Sequence, residues 1–174
     1  CSTTDRFADD IHYKGGCLLN ENLGWSATMF AYSSRPPDPA LVGERWRAMW
    51  LQRLEHEPLL AIPWLEHPHR DAYWKHGSVC EDIGAIQAAV LAVGGWNDAY
   101  TNAVPRLVGS VKSPVKGIIG PWAHKYPHFA VPEPRIGFLQ EMLRWWDQWL
   151  KGMDTGVAQD AAHRTYIMEP GRPG

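Results

Sequence analysis

The 174-residue sequence has no apolar run long enough to span a membrane and no excess of either charge. Lys and Arg total 17 against 19 Asp and Glu, a formal net charge of -2. That leaves no basic footprint for nucleic acid and no polybasic patch for an anionic membrane surface. Cysteine is scarce: Cys1, Cys17 and Cys80 are an odd number with no C-x-x-C spacing. Neither a disulfide framework nor a zinc site follows, and a reducing, cytoplasmic compartment is the default. His67, His69 and His76 lack an H-E-x-x-H frame, and Pro68 separates the first two, so no metal and no cofactor is expected. There is no G-x-S-x-G elbow. Ser26, Ser33, Ser34, Ser78 and Ser110 all lie outside the strand-to-helix context that a nucleophilic serine needs. The first residue is Cys rather than Met, and no signal-peptide pattern opens the chain. The sequence is therefore expected to be a piece of something longer.

What is present is organised around residues 90–128. Val90-Leu91-Ala92-Val93 and Val115-Lys116-Gly117-Ile118-Ile119 are short and largely β-branched. They are bounded by Gly94-Gly95 and Gly120-Pro121, the pattern of buried parallel strands. The segment between them suits one helical crossover, with Tyr100–Val108 as its helix and Pro105 in its first turns. Asp98 falls just past the first strand and His124 just past the second. Open α/β sheets carry their chemistry at the carboxyl ends of strands. An Asp and then a His on successive strand ends match the last two members of the Ser…Asp…His order.

GGWNDAYTNAVPRL followed by GPWAHKYPH resembles the Asp and His motifs of the CocE/NonD family of serine hydrolases. That family groups cocaine-esterase-like, α-amino-acid ester hydrolase-like and Xaa-Pro dipeptidyl-peptidase-like enzymes. The likeness extends through STTDRFADDIHY, SRPPDP and WLEHPHRDAYWKHGS, so it covers nearly the whole chain. It implies a partial α/β-hydrolase sheet with an inserted helical cap, and the opening of a C-terminal jelly-roll β domain. It implies Asp98 as the triad acid and His124 as the base, with the serine and its oxyanion donors upstream of Cys1. Trp96 and Trp122, each two residues ahead of a catalytic candidate, are expected to wall the pocket. Asp5 is expected at its mouth. The implied substrates are acyl esters, amides or short peptides, and a homo-oligomer is left open. Two other readings stand beside this one. Asp98 could itself be the nucleophile, but that elbow wants glycine two residues on, where Tyr100 stands. Or the chain could be a non-catalytic binding or assembly module.

The expected divisions follow from the pattern along the chain. Residues 1–12 form a loop leaving an upstream core strand. Its Asp5, Arg6, Asp9, Asp10 and His12 are read first as ion pairs clamping the cap to the core. Residues 13–84 are helical, with Asn20 as a cap for a helix through Leu23, Ala27, Phe30 and Ala31. Asp38 and Pro39 start a second helix with Val42, Trp46, Met49, Trp50 and Leu54 on one stripe. Ser78 and Glu81 have capping-box spacing. Residues 85–155 complete the core, closing with a helix that holds Phe138, Met142, Leu143, Trp146, Trp149 and Leu150 in period. Lys151-Gly152 ends it. Residues 156–174 are linker and the start of the β domain, with its first strand near 164–168.

Overall fold

The computed structural model describes residues 3–169, so Cys1 lies outside the described residues. Its centre is a three-stranded parallel sheet in the order β1-β2-β3. Strand β1 is Val90–Asn97, β2 is Val115–Ala123 and β3 is His163–Thr165. Among the described residues two α-helices serve this sheet, and five others precede it in the chain: α1 (Glu21–Ser33), α2 (Pro39–Val42), α3 (Trp46–His56), α4 (Ala61–Glu66) and α5 (Ala72–Lys75). The crossover helix α6 (Ala103–Ser110) joins β1 to β2, and α7 (Phe138–Lys151) follows β2. The α/β class read from the sequence holds.

Strands β1 and β2 run beyond Gly94-Gly95 and Gly120-Pro121, which were expected to end them. The reason is close backbone approach. A Cβ on Gly95 would lie 1.9 Å from the Trp122 carbonyl oxygen, and one on Gly120 would meet the Trp122 ring at 2.4 Å. These glycines permit the pairing instead of stopping it. One face of the sheet packs Ala92 and Ile119 against Val104 of α6, with Val90 and Leu107 alongside. The other face buries Ile118 and Trp122 against Ala130, with Leu91, Val93 and Ile136 around them.

Strand β3 pairs in parallel with β2, Gly117 opposite His163 and Ile119 opposite Thr165. The core sheet therefore runs to Thr165, past the boundary expected at 155. Strand β3 lies within the stretch, 156–174, that was expected to be linker and the start of a β domain. Helix α7 ends as read, with Gly152 in the left-handed conformation at φ 67°. Its orientation differs. Phe138 and Trp145 are the buried residues, while Leu143, Trp146 and Leu150 of the expected stripe face outward.

The helical block from Tyr13 to Ala85 closes around Trp74, which is fully buried. Tyr13 and Trp64 pack on it, with Phe7, Leu60 and Tyr73 beside them. Asp38 caps α2 as expected, accepting from the Ala40 N–H at 2.8 Å with Pro39 at the first position. That helix then breaks at Gly43, whose φ of 59° only glycine adopts freely, and α3 starts afresh at Trp46. No residue of α3 is buried, and of its expected stripe Trp50 is held by its indole N–H, which donates to the Ser34 carbonyl at 2.8 Å. Helix α1 is turned likewise. Asn22 and Ser26 are buried, whereas Leu23, Ala27, Phe30 and Ala31 are exposed. Hydrogen bonds fix that orientation: Ser26 Oγ accepts from Ala61 N–H at 2.7 Å, and Asn22 Nδ2 donates to the carbonyls of His12 and Leu19. Asn20 sits at the α1 N-cap position without a side-chain capping bond.

The Ser78–Glu81 capping box does not form. Ser78 Oγ donates to the Trp74 carbonyl at 2.5 Å and accepts from the Arg6 N–H at 3.0 Å. Its job is to hold the N-terminal loop to the helical block. Two short 3-10 turns, Val79–Glu81 and Ile83–Ala85, follow where one helix was expected. No helix among the described residues is long and apolar enough to cross a membrane.

Two outcomes test this packing. Gly95→Ala should destabilise the chain by about 2 kcal/mol or more, because the clash is with backbone that cannot swing away. Gly24→Ala, in open space within α1, should be neutral or stabilising by about 0.5–1 kcal/mol. Urea titration of the two variants decides the contrast. The second outcome concerns His12, which is buried with Nδ1 donating to Asn22 Oδ1 at 2.7 Å. Its ring centroid lies 4.4 Å from Trp64 and 4.7 Å from Trp74. Burial favours the neutral ring and holds its pKa below the ordinary 6.5, although the Asn22 bond opposes the shift. The unfolded chain then binds the proton first on acidification. Stability should fall as pH drops below about 6.5 and level off once the folded ring protonates. His12→Gln should flatten that part of the melting-temperature profile.

Candidate active site

The site is made where β1 and β2 end. Val90 to Gly95 pair in step with Val115 to Gly120, but Asn97 pairs with Ala123, so β2 carries one more residue across this step. The next residues are Asp98 and His124. Without that extra residue Asp98 would face Ala123, so the irregularity re-aims the histidine. Beyond β1 the chain turns tightly: Asp98 N–H donates to the Gly95 carbonyl, and Thr101 Oγ1 donates to the carbonyls of Gly95 and Asp98. Beyond β2, Lys125 N–H donates to the Ala123 carbonyl at 2.7 Å, which puts His124 at the apex of a three-residue turn.

His124 Nδ1 donates to Asp98 Oδ2 at 2.9 Å. The other carboxylate oxygen, Oδ1, accepts the Tyr100 N–H at 2.9 Å. The Asp98 side chain is 6% exposed and that of His124 is 67% exposed. A nearly buried acceptor thus holds an open imidazole in one tautomer, with Nε2 left for a group outside the pair. Asp98 makes a poor nucleophile in this setting, since both oxygens are engaged and the side chain is covered.

Both residues line a cavity of about 410 Å³. Its remaining wall is chiefly apolar, with Trp122, Tyr126, Phe129 and Phe138 as the large side chains. Among the described residues no serine lines it. Ser26 and Ser78 are buried in structural hydrogen bonds far along the chain.

The structure brings three of the five expected site residues together. Asp98, His124 and Trp122 line the cavity, and Trp122 is held by an indole N–H bond to the Pro134 carbonyl at 2.8 Å. Trp96 points elsewhere, donating from Nε1 to the Tyr166 carbonyl at 2.7 Å. Asp5 also lies away from the cavity lining. Its Oδ1 accepts from the Phe7 and Ala8 N–H groups, and its Oδ2 pairs with Arg70 at 3.1 Å. Burial alone would raise the Asp5 carboxyl, but those N–H donors and the Arg70 guanidinium outweigh it and hold it below the usual range. The rest of the N-terminal charge cluster is cross-linking. Asp9 pairs with Arg106 of α6, and Lys14 donates to the Ala99 carbonyl. His67 pairs with Asp71 and stacks on Tyr73 at 4.4 Å, which occupies it structurally.

Apart from Trp122, the aromatic residues of the wall were not foreseen from the sequence. Tyr126 and Phe129 follow His124 by two and five residues, so a loop that carries the base and then turns back was the available signal. Phe138 comes from the start of α7, and only tertiary packing brings it there.

Adjacent parallel strand ends presenting a carboxylate-held imidazole are the arrangement of α/β enzymes that use a histidine base. A sequence profile described as Peptidase_S15, X-Pro dipeptidyl-peptidase (S15 family), matches residues 1–126, and the chain belongs to that family of hydrolases. Cocaine esterase from Rhodococcus sp. (strain MB1 Bresler) is 29% identical to it over 146 residues. That match takes in 71% of this chain and 25% of the esterase, so the chain spans about a quarter of that relative.

Proposed function

We propose that this chain supplies the acid and base of a Ser-His-Asp triad in a serine acyl hydrolase. The nucleophile then comes from a segment of the protein outside these 174 residues. Its substrates are acyl esters, amides or short peptides, and its helical block, residues 13–84, caps the core. The observation that carries this reading is the 2.9 Å bond between His124 and a carboxylate that is almost wholly covered. His124 takes the proton from the serine hydroxyl and returns it to the leaving group, while Asp98 fixes the tautomer and stabilises the imidazolium. The cavity beside the pair, with its aromatic wall, suits an apolar acyl or leaving group. Membership of the S15 family and the likeness to an esterase support the same class. A purely binding role gives no reason for burying a carboxylate to orient one exposed imidazole.

The chain alone should be inert, because a His–Asp pair cannot replace the covalent step. Incubated with a fluorophosphonate probe, the 174-residue chain should show no serine labelled in mass spectra. Stoichiometric labelling would mean that the nucleophile lies within it. In a polypeptide that joins these residues to the serine-bearing segment, His124→Ala should lower kcat on a p-nitrophenyl ester by about 10⁴-fold or more. Near-parental turnover would remove His124 from the mechanism.

A further inference from the structure

An imidazole that is two-thirds exposed has few neighbours to fix its ring. One of them is Asp98. Another is Tyr100, whose ring meets the His124 ring edge-on, at 5.6 Å between centroids and an interplanar angle of 68°. The same residue donates its backbone N–H to Asp98 Oδ1, so Tyr100 touches both members of the pair. Its hydroxyl reaches the other way, donating to Asp10 Oδ1 at 2.9 Å. Asp10 is held in turn by the Ile11 N–H at 2.8 Å. Its loop is bound to the same part of the core on either side, through Asp9 to Arg106 and through Lys14 to the Ala99 carbonyl.

We propose that Tyr100 is a positioning residue for the His124–Asp98 pair, and that Asp10 on the N-terminal loop is its anchor. The proposal rests on the reading of that pair as triad base and acid. The physical case is one of leverage. A phenol bonded to a carboxylate makes a charge-assisted hydrogen bond, stronger than a neutral one. Burial first, and then the Asp10 charge, raise the Tyr100 pKa, so the hydroxyl stays protonated as the donor. With the hydroxyl end fixed, the ring cannot swing, and it closes one side of the space into which the imidazole would turn. The N-terminal loop, which gives no residue to the cavity lining, thereby helps to hold the orientation of the base.

The test reads the pair directly and does not need the nucleophile. In the 174-residue chain, NMR in mildly acidic buffer should show a downfield His124 Nδ1–H resonance, which Asp98→Asn removes. Tyr100→Phe keeps the ring but loses the anchor. Exchange of that proton with water should then be about fivefold faster, the equivalent of one hydrogen bond in the opening equilibrium. Asp10→Ala should match it, and Asp10→Asn, which keeps an acceptor oxygen, should stay within about twofold of the parent. Asp9→Ala loosens the same loop at Arg106 but spares the anchor, so it should leave the exchange rate near the parental value. Parental exchange in both Tyr100→Phe and Asp10→Ala overturns the proposal, as does an equal effect from Asp9→Ala. Those results leave the triad reading intact. Absence of the resonance in the parent, or its survival in Asp98→Asn, overturns the pairing itself and the proposal with it.

Discussion

The site depends on one extra residue in β2. From Val90 to Gly95 the two strands march together, and that register would carry Asp98 past Ala123. The added residue between Gly120 and Ala123 moves His124 opposite Asp98 and bends the strand as it does so. The irregularity needs glycine on both strands. At Gly95 the Trp122 carbonyl fills the volume of a Cβ, and at Gly120 the Trp122 ring does. Trp122 is therefore central twice over: its backbone sits at the irregularity and its ring seals the core beneath the cavity. Changing the glycines, the tryptophan or the register would each disturb the same distance between two side chains.

The helical block follows different rules. Its core is aromatic and small, built on Trp74 with Tyr13 and Trp64, and polar groups are buried beside it. Asn22, Ser26, His12 and Ser78 are all buried and all hydrogen-bonded. A buried donor or acceptor without a partner costs about 1–3 kcal/mol, so these bonds dictate which face of α1 turns inward. That is why a helix with an apolar stripe shows the stripe to solvent. The arginine at position 6 works similarly, bonding the Tyr73 and His76 carbonyls while its guanidinium lies over the Trp74 ring.

The sheet and the pair were legible because they rest on local signals. Short β-branched runs, glycines and an Asp and His just beyond them need no knowledge of tertiary packing. The strand ends were misjudged because glycine was read as a breaker, when here it marks close approach of backbone. Ser78 was misjudged for a related reason: its spacing to Glu81 is that of a cap, but Arg6, seventy-two residues earlier, competes for the same hydroxyl. The α7 stripe merged two faces: Phe138, Met142 and Trp145 share the inward one, while Leu143, Trp146 and Leu150 lie about 80–140° round the helix and face outward. The pairing of β3 with β2 was not legible, because three polar residues, His163–Thr165, carry no hydrophobic signature of a core strand. Trp96 was expected in the pocket by symmetry with Trp122, but the register shift gives the two strand ends different orientations.

The exposure of His124 raises the question of why it stays in place before any substrate arrives. Ordering an exposed side chain costs about 1 kcal/mol of rotamer entropy, and a single hydrogen bond of ordinary strength would barely offset it. The balance changes because the acceptor is Asp98. A carboxylate at 6% exposure that loses a donor bears a desolvation cost larger than the net value of a neutral hydrogen bond. Oδ1 already has the Tyr100 N–H, so the demand of Oδ2 falls on the imidazole. His124 is thus oriented chiefly by what Asp98 would lose, a constraint set in the fold and independent of ligand. Such preorganisation is what the general-base role proposed for His124 requires, since no part of its alignment then has to be supplied at the moment of proton transfer.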